Sequence, residues 1–443
     1  MQATRVAVVG GGVGGLAVAA LLARGGCEVT LYERAKHFGG RAQTTGVEGF
    51  RFNLGPHALY LGGAAARVLD RLGVKPRGGL PGAGSFALKA GRLHTLPRGP
   101  VSLMTTDLLS LAGKLEFAKL LAGVGRIDPS TLSRMSMREW MSTRLSRDES
   151  RAVVGALTRV TSYCADHDAM SADAALSQIQ LGLAAGVRYL DGGWSSLVDA
   201  LEAAARGAGA KLETSAKVES VFLRNHGQGQ GYGPGAHVRG VRFADGTTLE
   251  PDAVVIAGGP ADVAALVPGD AVLAREAAES VPVRAATLEL GLAKLPKPEA
   301  LFALGIDGPW YASVHSVAAA GLAPEGGAMV HVMKYLSGPD DAASETDLEA
   351  VMDVLQPGWR MHLVARRFRP DLRVSHRLPT VATGGLAGRP PAEVPHVSGL
   401  YRVGDWVGPE GMLSDASFAS AESVAQALTR GQQTQSRRMA VGA

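Results

Sequence analysis

Three glycines near the start of the chain, Gly10, Gly12 and Gly15, follow the spacing G-x-G-x-x-G. In this pattern the first glycine permits a tight turn, the second lets a pyrophosphate approach the backbone, and the third lets a helix pack on a strand. Glu33 follows at about the 20-residue distance at which a carboxylate can bind a ribose hydroxyl. These residues predict a dinucleotide-binding turn, and the acid disfavours a cofactor with a 2′-phosphate.

The elements around this turn are those needed to position it. Arg5–Val9 is a short β-branched run that predicts a buried strand, and Glu28–Tyr32 predicts a second strand. Leu16–Arg24 predicts the intervening helix, whose first amides would face the phosphates. The alternative interpretation of residues 6–23 is a membrane span or a secretion signal, since the run carries no charge. Its central cluster of glycines would weaken such a helix, so we favour the nucleotide-binding turn.

Two further motifs bear on the identity of the dinucleotide. HFGGRA (37–42) follows the first motif, and GLYRVGDW (399–406) lies near the end of the chain. Together they resemble the superfamily of flavin-dependent amine oxidases, protoporphyrinogen oxidases and phytoene desaturases. DGGWSSLVDAL (191–201) and KVESV (217–221) match its middle FAD segment in order. FNLGPHALY (52–60) and the residues after Asp405 are more similar to the phytoene-desaturase-like branch. The resemblance covers most of the chain and is weak in the inserted domain.

The resemblance implies non-covalent FAD, because no cysteine lies near the C-terminal motif to form a covalent link. Arg41 would neutralise the pyrophosphate, Asp405 would accept hydrogen bonds from ribityl or ribose hydroxyls, and Val218 would meet the adenine. Ser414 or Asp415 is expected to cap a helix over 416–428, whose positive end would stabilise negative charge on the flavin. The implied cofactor contacts are Gly10, Gly12, Gly14, Gly15, Glu33, Arg34, Gly40, Arg41, Gly55, Pro56, His57, Val218, Gly404, Asp405, Gly411, Met412 and Leu413.

His57 and Tyr60 are the candidate catalytic residues, because the resemblance places "GPHALY" beside the flavin ring. His57 could orient substrate, shuttle a proton, shape the pocket or only hydrogen-bond a loop. Lys334 is compared with the flavin-facing lysine of amine oxidases, although the strand register leaves its direction open. Other residues that could line the substrate cavity are Trp310, Tyr311, His315 and His331. The histidines lack metal-ligand spacing, so no metal site is expected.

The fold class indicated is α/β, with a discontinuous Rossmann-like FAD domain and an inserted α+β substrate domain. The FAD domain is assigned to residues 1–60, 191–260 and 395–430, and the substrate domain to 61–190 and 261–394. Strands are expected at 285–293 and 328–336. A glycine-rich hairpin loop is expected at 226–236, and 431–443 is predicted as a disordered tail.

The composition limits the partners and the compartment. The 443 residues carry 45 basic and 41 acidic side chains, a net charge of +4, so no nucleic-acid surface is expected. Two cysteines and a first strand at Arg5 indicate a cytoplasmic protein without disulfides or a targeting peptide. Ser102–Val124 predicts an amphipathic helix that packs on the core or contacts a membrane surface. The oligomeric state is left open.

These observations indicate an FAD-dependent oxidoreductase. It would take hydride from a C–H bond of a largely apolar organic molecule onto flavin N5, as a dehydrogenase, desaturase or oxidase. One alternative is a flavin amine oxidase. Another is a redox-neutral flavin isomerase or a non-catalytic flavin-binding protein.

Overall fold

The computed structural model describes residues 3–82, 84–224 and 235–441. The strands are β1 (Arg5–Val9), β2 (Glu28–Tyr32), β3 (Thr45–Val47), β4 (Phe50–Phe52), β5 (Leu59–Tyr60), β6 (Gly78–Gly79), β7 (Ser85–Lys89), β8 (Arg92–Thr95), β9 (Val187–Leu190), β10 (Lys211–Glu213), β11 (Val218–Arg224), β12 (Ala236–Phe243), β13 (Thr248–Leu249), β14 (Ala253–Ala257), β15 (Val283–Leu292), β16 (Phe302–Gly305), β17 (Trp310–Val314), β18 (Ala328–Leu336), β19 (Leu363–Ser375), β20 (Val397–Ser398) and β21 (Leu400–Val403). The α-helices are α1 (Val13–Arg24), α2 (Ala64–Leu72), α3 (Pro100–Thr105), α4 (Leu111–Val124), α5 (Met137–Arg144), α6 (Asp148–Ser162), α7 (Ala172–Ala185), α8 (Ser195–Gly207), α9 (Pro260–Leu266), α10 (Ala271–Ala278), α11 (Glu345–Leu355) and α12 (Leu413–Val441).

A parallel five-stranded sheet, in the order β10-β2-β1-β14-β21, forms the first layer. Its strands are short and apolar, and their side chains are buried on both faces together with α1 and α8. The glycine turn, Glu33 and Asp405 follow the carboxyl ends of β1, β2 and β21, so they lie at one edge of the sheet. Strand order reverses beside β1, where such sheets bind ligands. The predicted Rossmann-like α/β class is confirmed.

A seven-stranded sheet, in the order β19-β15-β18-β17-β16-β7-β8, forms the second layer. It contains both strands predicted in this region, now bounded as β15 and β18. Successive side chains on each strand point to opposite faces. One face packs on the helices α4 to α7, and the other packs on α11. The domain bounds assigned from the sequence stay a prediction.

Two segments differ from the sequence-based expectation. The single helix predicted over Ser102–Val124 is divided into α3 and α4. Thr106 leaves the helix because its hydroxyl donates to Thr95 O at 2.6 Å, and Ser110 caps α4 by accepting from Gly113 N at 3.1 Å. In the described part of the chain, no helix combines the length and apolarity that crossing a membrane requires.

The chain ends in the long helix α12, which runs to Val441. It therefore continues through most of the tail predicted as disordered. Gln, Arg, Met and Ala dominate this segment and favour helix, which the polar composition obscured. The predicted hairpin between β11 and β12 is present, but its loop at 226–236 lies outside the described residues except for the last two.

Candidate functional site

The glycine turn after β1 has no room for side chains at its packing points. Gly10 has φ +108°, and a Cβ there would lie 2.4 Å from Ala257 O. A Cβ at Gly15 would lie 1.9 Å from Gly10 O, and one at Gly14 would lie 2.8 Å from Val403 Cγ1. The contacts at Gly10 and Gly15 require glycine, because the neighbouring backbone cannot yield, whereas the contact at Gly14 is with a buried side chain. The roles predicted for Gly10 and Gly15 in the turn and in helix packing agree with this geometry.

The middle of the turn is open, by contrast. A Cβ at Gly12 would meet nothing nearer than Gly39 O at 4.0 Å, and one at Gly40 nothing nearer than Gly12 Cα at 3.7 Å. Gly12 and Gly39 form a backbone bridge that places these two glycine segments side by side. No side chain caps α1, so its first amides remain free to bind an anion. This cradle fits the pyrophosphate of a dinucleotide.

Glu33 holds the turn through both carboxylate oxygens. Oε2 accepts from Gly11 N at 2.7 Å, and Oε1 accepts from Ala35 N at 2.8 Å. A carboxylate has further lone pairs, so a ribose hydroxyl can still donate to it. Arg34 is exposed beside it. The segment before Val218 is tied here, since Ala216 N donates to Glu33 O at 2.9 Å.

Glu33→Ala is expected to weaken FAD binding by about 1.5–3 kcal/mol, roughly a 10- to 100-fold rise in Kd. The variant loses the ribose acceptor and both amide contacts of the turn. Titration of the apoprotein with FAD measures the change. The control is Glu28→Ala, which removes an exposed acid from the opposite end of the same strand. Equal Kd values for wild type and Glu33→Ala would mean that Glu33 does not contribute to cofactor binding.

Arg41, Asp405 and His376 form a charged cluster at the ends of the glycine segment and of β21. Arg41 Nη2 lies 2.8 Å from Asp405 Oδ2, and His376 Nδ1 lies 2.9 Å from Asp405 Oδ1. Burial opposes ionisation of Asp405, but the charge of Arg41 and the contact with His376 outweigh it and hold the pKa of Asp405 well below its usual range. The sequence analysis missed His376, which no motif marks.

The turn before α12 has an unusual backbone. Leu413 has φ +54°, a left-handed conformation that is rare for a bulky residue and often found at functional sites. Arg389 Nη2 donates to Gly411 O at 2.8 Å and fixes the turn, while Ser420 Oγ accepts from Gly404 N at 3.2 Å. The arrangement is consistent with the predicted contacts of Met412 and Leu413.

The cap predicted for this helix is wrong. The helix begins at Leu413 rather than 416. Asp415 Oδ1 instead accepts from Ala65 N, in the first turn of α2, at 2.7 Å. A cap requires a residue just outside the helix, and Ser414 and Asp415 both lie within it.

His57 lies in the loop that carries Gly55 and Pro56. Gly55 has φ +80°, and a Cβ there would lie 2.7 Å from Leu372 Cδ2. Pro56 O accepts from Tyr163 Oη at 3.1 Å. His57 Nδ1 lies 3.0 Å from Gly55 O, so Nδ1 carries the proton and Nε2 is an acceptor. Burial lowers the pKa of His57 to about 4, so its ring is neutral near pH 7.

Tyr60, the second candidate catalytic residue, is fully packed. Its hydroxyl donates to Thr161 O at 2.9 Å, and burial raises its pKa. The phenol is therefore neutral and already hydrogen-bonded. Its catalytic role stays a prediction.

A buried polar row crosses the inner face of the second sheet. Ser313, His331 and Glu289 lie side by side on β17, β18 and β15. Glu289 Oε2 accepts from Arg367 Nε at 2.9 Å and from Arg369 Nη1 at 2.8 Å. His331 Nδ1 lies 3.4 Å from Glu289 Oε1. Glu289 was not among the residues expected from the sequence.

Histidine and tyrosine rings extend this row. The His315 ring lies 4.3 Å from that of His331 and stacks on Tyr189 at 3.8 Å. Tyr311 Oη lies 3.2 Å from His315 Nε2. Burial, and then the proximity of His57, lowers the pKa of His331 to about 3. Within the described residues, no three His, Cys, Asp or Glu side chains are grouped to bind a metal.

Lys334 and Trp310 do not belong to this face. They pair across β17 and β18 in the position that points to the opposite side of the sheet. Lys334 Nζ lies 2.6 Å from Asp341 Oδ1 and 5.9 Å from the Trp310 ring. The strand alternation that directs His331 inward directs Lys334 outward, so the comparison with a flavin-facing lysine is wrong.

Comparison with known proteins shows the family to which the chain belongs. The family model for flavin-containing amine oxidoreductases matches residues 13–428. A zeta-carotene-forming phytoene desaturase from Myxococcus xanthus is 28% identical over 57% of this chain, and the match spans about half of that desaturase, 53%. A coproporphyrinogen III oxidase from Propionibacterium freudenreichii is 25% identical over 80% of this chain and 77% of its own.

A solved oxidoreductase from Methanosarcina mazei is similar in fold. It is 20% identical, with a TM-score of 0.74 over 95% of this chain and all of its own, 100%. The parallel sheet and the glycine cradle fit a dinucleotide, and the family match indicates FAD as the cofactor. The chain belongs to the family of flavin-containing amine oxidoreductases and is an FAD-dependent oxidoreductase.

Proposed function

We propose that this oxidoreductase takes a hydride from a C–H bond of a largely apolar, uncharged organic molecule and leaves a C=C bond. The observation that carries the proposal is the net charge around Glu289 in the buried polar row of the second sheet, whose His331 lies near His57. There Glu289 is paired with two arginines, Arg367 and Arg369, which gives the group an excess of positive charge. An ammonium group would be repelled at such a site, whereas a neutral molecule would not.

Aromatic and apolar side chains also lie in this region, and the charge of Arg41 adds to the positive potential at His57. The His57 ring lies 5.0 Å from Trp194. Tyr335 makes edge contacts with Tyr163 and Tyr311 at 6.1 and 6.4 Å, and Met333 packs in the same cluster. Aromatic and thioether surfaces bind apolar molecules without requiring charge. They support an apolar substrate.

When bound, FAD supplies the ring that accepts the hydride, and the protein must orient the substrate and exclude water. His57, supported by the buried Trp194 side chain, would hold the substrate against that ring. The backbone amides of Met412 and Leu413, at the positive end of α12, would stabilise negative charge there. Neither step requires a charged base at His57.

The exposed surface of α3 and α4 also supports an apolar substrate. Val101, Met104, Leu111 and Leu115 are 78, 69, 72 and 67% exposed. Apolar side chains grouped on a surface mark contacts with lipid or protein. We extend the proposal to peripheral contact with a membrane, where a molecule like the desaturase's polyene would be dissolved.

The test is anaerobic mixing of the FAD-loaded protein with phytoene in phosphatidylglycerol vesicles, or with putrescine. We expect the vesicles to bleach the flavin at 450 nm at least about 10-fold faster than the diamine does, because the site disfavours a cation. Vesicles without phytoene are the control. Bleaching by putrescine alone would favour the amine oxidase instead. Isomerised phytoene without net bleaching, seen only after photoreduction, would indicate the redox-neutral isomerase.

A further inference from the structure

Behind the turn that precedes α12 lies a cavity of about 180 Å³. It is bounded by α2, α7 and the start of α12, and Gln178, Glu410, Met412 and Asp415 line it. Gln178 and Asp415 are each 1% exposed. Gln178 Nε2 and Asp415 Oδ2 have no hydrogen-bond partner among the described residues. Buried polar atoms of this kind indicate that the cavity takes up water or protons.

Asp415 is held tightly between the turn and α2. Its Oδ1 accepts from Ala65 N at 2.7 Å. A Cβ at Gly63 would lie 2.2 Å from that oxygen, and one at Gly411 would lie 2.8 Å from Asp415 Cβ. The carboxyl group is therefore fixed within two residues of Leu413, while Oδ2 is buried beside the cavity without a hydrogen-bond partner among the described residues.

The charged groups around Asp415 leave it poised to titrate. Burial raises its pKa to about 6, the amide of Ala65 opposes this, the charge of Glu410 adds to it, and Arg67 opposes it. Arg67 is itself paired with Glu410 at 3.0 Å and Glu422 at 2.9 Å, which limits its effect. The fourth ionisable neighbour, Tyr60 on β5, is a neutral phenol.

We propose that Asp415 is a redox-linked proton acceptor: it binds a proton from solvent when FAD beside Met412 and Leu413 is reduced. Negative charge on the reduced cofactor raises the free energy of a carboxylate in the same low-dielectric region, and protonation removes that cost. The substrate or an added reductant supplies the hydride that reduces FAD. The additional proton comes from water through the cavity beside the exposed Glu410, and it adds to Oδ2. The inference requires bound FAD and does not depend on the substrate.

The test is the reduction potential of the FAD-loaded protein from about pH 5 to about pH 8. Below about pH 6 Asp415 is protonated in both states, so it adds no proton on reduction. Above that, the wild type should take up one further proton per two electrons. The reduction potential then falls by about a further 30 mV per pH unit, roughly a tenfold change in the reduction equilibrium.

Asp415→Asn keeps an oxygen that can accept from Ala65 N. It should lose the steepening, that is, the additional pH dependence of the reduction potential above about pH 6. Glu422→Gln and Glu410→Gln remove neighbouring carboxylates and should keep it. Equal slopes for wild type and Asp415→Asn, or a steepening lost in Glu410→Gln alone, would overturn the proposal.

Thermal unfolding without added FAD gives a second readout, which also serves if a variant binds the cofactor poorly. A carboxyl group whose folded pKa is raised stabilises the protein at low pH, and that contribution is lost as pH rises through the folded value. From about pH 4 to about pH 6.5, the Tm of Asp415→Asn should therefore rise relative to wild type, by about 2–4 °C. A Tm difference that does not change with pH would show that Asp415 does not titrate, and the proposal would fail.

Discussion

Glu289→Ala should lower the free energy of unfolding by about 3–5 kcal/mol, the cost of removing one partner from a buried ion pair. Glu289 is fully buried, and its Oε2 accepts hydrogen bonds from both Arg367 and Arg369. Burial raises the pKa of Glu289, and the two guanidinium groups oppose that effect. Without the carboxylate, two mostly buried cations on neighbouring same-face positions of β19 repel each other, which accounts for the size of the loss.

Equilibrium unfolding in urea, with FAD in excess for every variant, measures this loss. Glu289→Gln retains the shape and one acceptor oxygen, so it should lose less than the alanine variant. The control is Glu202→Ala on α8, which removes an exposed ion pair with Arg206 at 2.9 Å and should change stability by only about 0.5 kcal/mol. A loss below about 1 kcal/mol for Glu289→Ala would contradict a role for this pair in stabilising the sheet.

The cofactor turn was predictable because its physics is local. Close backbone contacts exclude side chains at Gly10 and Gly15, and Gly12 leaves the turn open, so the spacing of these glycines in the sequence carries the information. Glu33 directly follows the predicted strand β2, and this position also placed it at the correct edge of the sheet. Its two backbone contacts were not expected, because they depend on how the following loop folds back.

The polar row of the second sheet was not predictable in the same way. Glu289 meets Arg367 only because β15 and β19 pair in one register, and a shift of one residue would turn their side chains to the other face. An acid within an apolar strand gave no sign of its partners. Lys334 is different: alternation along β18 places it on the face opposite His331, so applying that period would have shown that the two cannot both face the cavity.

His376 and Leu413 show a third limit. His376 reaches Asp405 from a distant part of the chain, and no spacing rule connects them. The positive φ of Leu413 results from packing around the turn, since the residue type disfavours it. Tertiary contacts decide both features, so they become visible only in the structure.

His57→Ala should lower the second-order rate of flavin reduction by about 10²- to 10³-fold, and the loss should come mainly from weaker substrate binding. The neutral ring lies against Trp194, and its protonated nitrogen is bound to Gly55 O. Its pKa of about 4 makes it a poor proton acceptor near pH 7, so we expect it to shape the pocket. Hydride removal from an apolar carbon can proceed with little acid–base assistance.

Rapid-mixing measurement of flavin bleaching against substrate concentration separates binding from the reduction step, with FAD occupancy determined in the same samples. His57→Asn is the matched variant, because its side-chain amide can still donate to Gly55 O but cannot act as a base. If His57 shapes the pocket, the limiting reduction rate of both variants should stay within about 10-fold of wild type, and asparagine should recover part of the binding. A proton-transfer role would lower the limiting rate of both variants by about 10²- to 10⁴-fold at full FAD occupancy. That result would move His57 from the pocket wall into the chemistry, and the neutral ring would then need a substrate that raises its pKa on binding.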